Sequence, residues 1–281
     1  MSDTRHPVTI LGLGLIGGSL AGALTRVGWR VAGWDPNPAA GRGLRRRRMI
    51  SHVTAAAEDA LEGAAVIVLA GPPRAIRDWL PRLQSLAPEA AVTDVGSVKG
   101  PVARLGRRLL GERFVPGHPV AGREMAGSEA ARRSLFRGAP WALCGGSPAA
   151  RARVEAVVRA AGARPVTVSP TVHDRDMALV SHLPQLLASL LLAETARRRP
   201  GAFGRSGSGF ADWARLGASP PDLWNEILFE NTHAVRMELE YLERALARFR
   251  TAWERNPEAP VGLLKQGRKG FQLWHGTKSG D

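Results

Sequence analysis

The chain has 281 residues, 44% of them hydrophobic, enough to bury the core of one large domain or two modest ones. A single cysteine, Cys144, excludes an intramolecular disulfide and a cysteine-based metal site, and its apolar surroundings mark it as a core residue. The net charge of +14 comes from 39 basic and 25 acidic residues, and almost all of the excess is arginine.

The arginine runs 45–48 and 197–199 read either as solvated helix ends or as part of a field that attracts anionic ligands. No nucleic-acid motif or aromatic platform accompanies them, so no nucleic-acid partner is expected. Residues 1–7 lack the apolar stretch of a signal peptide, and no apolar run approaches membrane-span length. The expectation is a cytoplasmic protein with no membrane partner.

Taken in order, the first half alternates strands and helices. Val8–Leu11 reads as a buried strand, and Leu15–Leu24 as an apolar, alanine-rich helix. Between and into them runs G-x-G-x-x-G, with Gly12 for the tight turn, Gly14 for close approach of a pyrophosphate and Gly17 for helix–strand packing. The helix N-terminus then offers free N–H groups and a positive dipole end to phosphate. A second strand, 30–34, ends at Asp35, about 20 residues beyond the glycines, where an acid would hold the ribose hydroxyls. A carboxylate there repels a 2′-phosphate, and no arginine occupies 36–38, so NAD is favoured over NADP.

An arginine-rich helical segment and residues 55–61 follow. Strands are expected at 65–69, 91–94, 114–115, 141–144 and 166–168, with helices at 76–86, 102–110 and 149–161. This pattern predicts a doubly wound sheet whose strand-end loops, 12–18, 71–73, 96–99 and 117–122, face one crevice. The expected cofactor-binding residues are Gly12, Gly14, Leu15, Ile16 and Gly17 of the first loop, Asp35, Gly71 and Pro72, and Ser97.

At Ser169-Pro170 the strand signal stops. Residues 171–196 and 221–253 have helical spacing, separated by a Gly/Arg/Ser break, so a dinucleotide-binding domain over 1–169 and a helical domain over 170–281 are expected. The segment 221–253 reads as one long helix packed against another, such as one from a second subunit. The basic tail 265–281 reads as poorly ordered.

Polar residues in apolar settings are the chemical candidates. His118, in Gly117-His118-Pro119, is either a turn residue or a base that takes a hydroxyl proton while hydride leaves the same carbon. Ser97, in Asp94-Val-Gly-Ser97-Val-Lys99, either holds that hydroxyl, fixes the imidazole or is a turn residue. His173-Asp174 and Ser181-His182 lie in the helical half, His182 reading more readily as a core histidine than as a catalyst. Asp212 and Arg215 share a helix face, as a surface ion pair or as an arginine held to grip a carboxylate.

The motifs GLGLIGGS (12–19), DVGSVK (94–99), GHPVAGREMAG (117–127), HDRDMALVSHLP (173–184) and GFADWARLGASPPDLW (209–224) together resemble the prephenate/arogenate dehydrogenases of tyrosine biosynthesis. The resemblance covers most of the chain. It implies a Rossmann domain followed by an all-helical dimerisation domain, a homodimer, and NAD-dependent oxidative decarboxylation. Aromatisation drives that reaction, so no metal is expected. By resemblance His118 is the catalytic base and Ser97 its partner at the ring hydroxyl. Arg215 binds a substrate carboxylate with Asp212 orienting it, His182 and Trp224 line the substrate pocket, and Glu124 is an acidic gate. The chain departs from the family at Gln185, where a second histidine is common, and at Ala211 and Ala214, which replace Arg and Thr. These departures bear on prephenate against arogenate. Too few residues follow the helical segment for an ACT-type regulatory domain, so any feedback inhibition is expected at the active site. A non-catalytic NAD-binding sensor is the competing reading, and the joint presence of Ser97, His118 and Arg215 argues against it.

Overall fold

The computed structural model describes residues 7–123 and 125–279. Strand β1 (Val8–Leu11) leads through the glycine loop into α1 (Leu15–Arg26), then β2 (Val31–Trp34), α2 (Pro38–Arg46), the short β3 (His52–Val53), α3 (Ala57–Leu61) and β4 (Val66–Leu69). There follow α4 (Pro73–Leu86), β5 (Ala91–Asp94), α5 (Gly100–Leu110) and β6 (Phe114–Val115). These six strands form one parallel sheet in the order β3-β2-β1-β4-β5-β6. The order reverses at β1, so the crevice beyond the carboxyl ends of β1 and β4 is where a ligand binds in such sheets. β1, β4 and β5 are buried along their whole length, as strands covered by helices on both faces must be.

The two further strands expected at 141–144 and 166–168 do not extend this sheet, and a strand not expected separately, at 117–119, joins them. β7 (Gly117–Pro119), β8 (Pro140–Leu143) and β9 (Arg164–Thr167), with α6 (Pro148–Ala160) between the last two, make a separate three-stranded sheet. β7 runs antiparallel to β8, with His118 opposite Ala142. The break falls at Pro116, which has no N–H to continue the first ladder.

The helical half begins with α7 (Pro170–Met177), whose N-terminus is capped by the Ser169 hydroxyl accepting from the Val172 amide. One π-helical turn, Ala178–His182, joins it to α8 (Leu183–Arg198). Pro184, in the first turn of α8, cannot donate a backbone hydrogen bond, and the wider turn before it aims His182 into the interior. No apolar run of membrane-span length was expected, yet the continuous helical stretch Pro170–Arg198 reaches it by length and hydropathy. His173, Asp174, His182 and Gln185 are nonetheless buried along it.

α9 (Ser208–Ala214) runs into a 3-10 turn, Arg215–Ala218. Gly217 allows that turn to lie against α8, since a Cβ on it would stand 2.3 Å from the Leu192 side chain. The single helix expected over 221–253 is two: α10 (Pro221–Glu230) and α11 (Thr232–Arg255). The Thr232 hydroxyl donates to the carbonyls of Leu228 (2.9 Å) and Phe229 (2.8 Å), closing α10, while Asn231 turns its amide inward. The tail expected to be poorly ordered is α12 (Ala259–Ser279), whose Leu, Lys and Gln residues favour helix against four glycines. By packing, the chain divides into two compact units, Met1–Thr232 and His233–Asp281.

Candidate active site

The glycine loop has the geometry of its motif. Gly12 has φ +102°, and a Cβ on it would press to 2.7 Å from the backbone of Ala70 at the end of β4. A Cβ on Gly17 would stand 1.9 Å from the Gly12 carbonyl oxygen, so helix and loop touch there. Nothing in the chain lies within 4 Å of a Cβ on Gly14, so that face is open to a ligand. α1 starts at Gly14 with no side-chain cap and no acid in its first turn, leaving its N–H groups for an anion. A cavity of about 440 Å³ brings together Gly12, Gly14, Asp35, Gly71 and Pro72, walled by Trp34 and Trp79. Leu15, Ile16, Gly17 and Ser97 do not line it, the first three lying in the opening turn of α1. Asp35 accepts from the Leu13 amide (2.6 Å) and the Asn37 amide (2.8 Å), so it braces the glycine loop as well as facing the cavity. These features fit a dinucleotide.

At the ends of β5 and β7 a second constellation is built from buried polar groups. His118 Nδ1 lies 2.9 Å from His173 Nε2, and His173 Nδ1 lies 2.8 Å from Asp174 Oδ1. Asp174 also accepts from the backbone amides of Lys99 and Gly100, both at 2.7 Å, which ties α7 to the start of α5. Burial pushes the Asp174 carboxyl up, but the His173 hydrogen bond and the two amides outweigh it and hold it below its ordinary value. An ionised Asp174 only accepts, so His173 donates from Nδ1 and accepts at Nε2. His118 then donates from Nδ1, which leaves the lone pair on its Nε2. Burial, followed by the neighbouring His173, Lys99 and His182, holds the His118 pKa well below 6.5.

Lys99 is fully buried and paired with Asp94, and its Nζ donates to the Gly117 carbonyl at 2.7 Å. Asp94 accepts from the amides of Gly96 (2.9 Å) and Gly117 (3.1 Å). The loop carrying Ser97 and the strand carrying His118 are thereby pinned to each other. Ser97 lies partly exposed in that loop, and no hydrogen bond joins it to His118 among the described residues.

In the helical half, His182 is buried and meets the ring of Trp224 edge-on at 5.9 Å. Its Nδ1 lies 3.1 Å from the Asn231 amide nitrogen. Burial chiefly, with His173 adding and Asp174 opposing, lowers the His182 pKa to about 4. Asp212 and Arg215 are exposed, at the end of α9 and the start of the 3-10 turn. Gln185, the departure noted above, is buried and donates to the Leu216 carbonyl at 2.8 Å, so it anchors the turn that begins with Arg215. Glu124 lies outside the described residues.

Sequence reasoning noticed His173 and Asp174 but gave them no role, left Lys99 without one and overlooked Asn231. A signal existed for each: a His-Asp pair within an apolar stretch, one of only four lysines in an arginine-rich chain, and an Asn-Thr pair inside a run of helix formers.

Comparison with known proteins agrees with both halves. Residues 20–167 match the family model described as prephenate dehydrogenase, nucleotide-binding domain. Residues 169–264 match prephenate dehydrogenase, dimerization domain. The cyclohexadienyl dehydrogenase of Zymomonas mobilis is 31% identical over 90% of this chain and 89% of its own length. The prephenate dehydrogenase of Bacillus subtilis is 29% identical over 89% of this chain and 71% of its own. Among solved structures, the prephenate dehydrogenase of A. aeolicus, in complex with hydroxyphenyl propionate and NAD+, superposes with a TM-score of 0.89 at 30% identity, covering 97% of this chain and 99% of that one. The Synechocystis arogenate dehydrogenase gives 0.81 at 29% identity, covering 95% and 99%. The chain belongs to the prephenate dehydrogenase family of NAD-dependent oxidoreductases.

Proposed function

We propose that this protein is a prephenate dehydrogenase that oxidatively decarboxylates prephenate to 4-hydroxyphenylpyruvate with NAD. The observation that carries the reading is the Asp174–His173–His118 chain, which leaves a neutral imidazole with its lone pair on Nε2. His118 takes the proton of the ring hydroxyl as the carbinol becomes a carbonyl. Bound NAD supplies the acceptor for the hydride that leaves the same ring carbon. The carbon–carboxylate bond at the opposite ring position then breaks. Its electron pair flows through the ring to the new carbonyl oxygen, which takes a proton back as the phenol forms. Ser97 holds the hydroxyl, and Arg215, oriented by Asp212, grips a substrate carboxylate. His182 and Trp224 form the pocket wall. Glu124 keeps the gate role that the resemblance implies.

Asp35 selects NAD over NADP by accepting from the ribose hydroxyls and repelling a 2′-phosphate. The active species is a homodimer through the helical domain. Support comes from the dimerization-domain match and from the exposed Val180, Leu190 and Phe229 on its helices. We place it in the cytoplasm.

The test is NADH formation by the purified protein with NAD and either prephenate or arogenate, the product identified as 4-hydroxyphenylpyruvate or tyrosine. Faster turnover of prephenate is expected. Preference for arogenate would reassign the substrate, and no turnover of either by protein that still binds NAD would leave the sensor reading.

A further inference from the structure

We propose that Asn231 is a positioning residue. It fixes the His182 imidazole as the tautomer with its proton on Nε2, so that His182 meets the substrate as a hydrogen-bond donor. The inference rests on the reading above that His182 lines the substrate pocket.

The argument starts from the orientation of the Asn231 side chain. Its amide nitrogen lies 2.8 Å from the Asp174 main-chain carbonyl, which has no proton to give. The nitrogen end of the amide must therefore face that carbonyl, and the oxygen end cannot take its place. The same nitrogen lies 3.1 Å from His182 Nδ1. An NH2 group has two protons, and with one spent on Asp174 the other points to the imidazole. Nδ1 is thus the acceptor, and in a neutral ring the proton sits on Nε2. Both Asn231 and His182 are buried, so water does not compete for either bond. Burial also keeps the ring neutral, with a pKa of about 4. Asn231 occupies the one-residue gap between α10 and α11 and Thr232 closes α10 behind it, so the helix is interrupted where this amide is needed.

A chemical consequence follows for specificity. The substrate atom that meets His182 Nε2–H must accept a hydrogen bond, as a carboxylate or oxo oxygen does and an ammonium does not. The same main-chain carbonyl belongs to Asp174, which orients His173 and through it His118, so one buried amide joins the two histidine sites.

The experiment is 15N NMR of histidine-labelled protein without substrate, the His182 signals being assigned by their loss in His182→Gln. A pyrrole-type Nε2 and a pyridine-type Nδ1 are expected in the wild type. In Asn231→Ala the two signals should move toward the tautomer average, and the prephenate KM should rise about tenfold with the NAD KM unchanged. A wild-type ring protonated on Nδ1 overturns the proposal, and so does an Asn231→Ala variant whose tautomer or prephenate KM is unaltered. If Asn231→Ala does not fold, the wild-type spectrum decides alone. Failure of the wild type to oxidise prephenate would reject the reaction and not the tautomer, which is read without substrate.

Discussion

His118 Nδ1 and His173 Nε2 stand 2.9 Å apart, with the two rings nearly perpendicular at 76°. This contact decides which nitrogen of His118 is free to act as base. His118→Asn is therefore expected to lower kcat by about 10²–10⁴-fold. NAD affinity should be unchanged, because His118 lies outside the dinucleotide cavity. His173→Ala should lower kcat by a smaller factor, since it frees the tautomer without removing the base. Steady-state turnover alongside NAD titration checks both, and full activity in His118→Asn would end the assignment of the base.

The pH dependence of kcat/KM follows from the same groups. A base must be neutral, and burial holds the His118 pKa well below 6.5, with His173 and Lys99 adding to the effect. The acid limb of the profile is therefore expected below pH 6.5, with activity retained to lower pH than an ordinary histidine allows. A limb at or above 6.5 would show that the working base is solvated or is another group.

The same burial that keeps the base neutral in acid costs the fold stability there. His118 and His182 are both held neutral in the folded chain, so below pH 6.5 the unfolded chain binds more protons than the native one. Stability then rises with pH and falls on acidification. Each such histidine costs up to about 1.4 kcal/mol per pH unit between its unfolded and folded pKa values. Asp174 does not offset this loss in that window. Its depressed pKa adds stability above its ordinary value of 3.8, which is lost only at more acid pH. Thermal melts at pH 7 and pH 5 should show a lower Tm at pH 5, and His182→Gln should shrink the difference.

Most of the nucleotide half was legible because its signals are local. Strand, glycine loop and helix follow one another within Val8–Arg26, and Gly17 meets the Gly12 carbonyl five residues away, although Gly12, Gly18 and Gly22 also meet residues distant in the chain. The active-site chain was legible only in parts. His118 and His173 meet across 55 residues, and nothing in either local sequence specifies the other. The departure of β7, β8 and β9 into their own sheet was hidden for a similar reason. A short apolar run shows that a strand forms, but its partner depends on long-range pairing. Helical periodicity also ran straight through Asn231, because apolar spacing outweighs a single poor helix former in a window of that length.

Lys99 and Asp94 test how much of the site is held by charge. Lys99→Met leaves Asp94 buried with only amide donors, which is expected to cost about 3–5 kcal/mol of stability. The double variant Asp94→Asn/Lys99→Met removes the stranded charge and should recover a large part of that loss. Denaturant melts of the wild type, the single and the double variant give the comparison. A Lys99→Met melt equal to wild type would mean that the pair contributes nothing to holding β5 against β7.

Asp35 has two tasks that one substitution can separate. Its carboxylate accepts from the Leu13 and Asn37 amides and faces the dinucleotide cavity. Asp35→Ala removes brace and ribose acceptor together, so kcat/KM with NAD should fall about 10- to 100-fold, the scale of one or two hydrogen bonds to a charged group. The efficiency with NADP should change less, because losing a repulsion with the 2′-phosphate offsets part of the lost brace. Asp35→Asn keeps an oxygen for one amide and abolishes the charge, so it isolates the electrostatic part. If Asp35→Asn narrows the NAD-to-NADP ratio while Asp35→Ala lowers both efficiencies further, charge sets the cofactor choice and the amide bonds set the shape of the loop. An unchanged ratio in both variants would leave Asp35 a loop brace, and selectivity would have to come from the tryptophan-walled cavity itself.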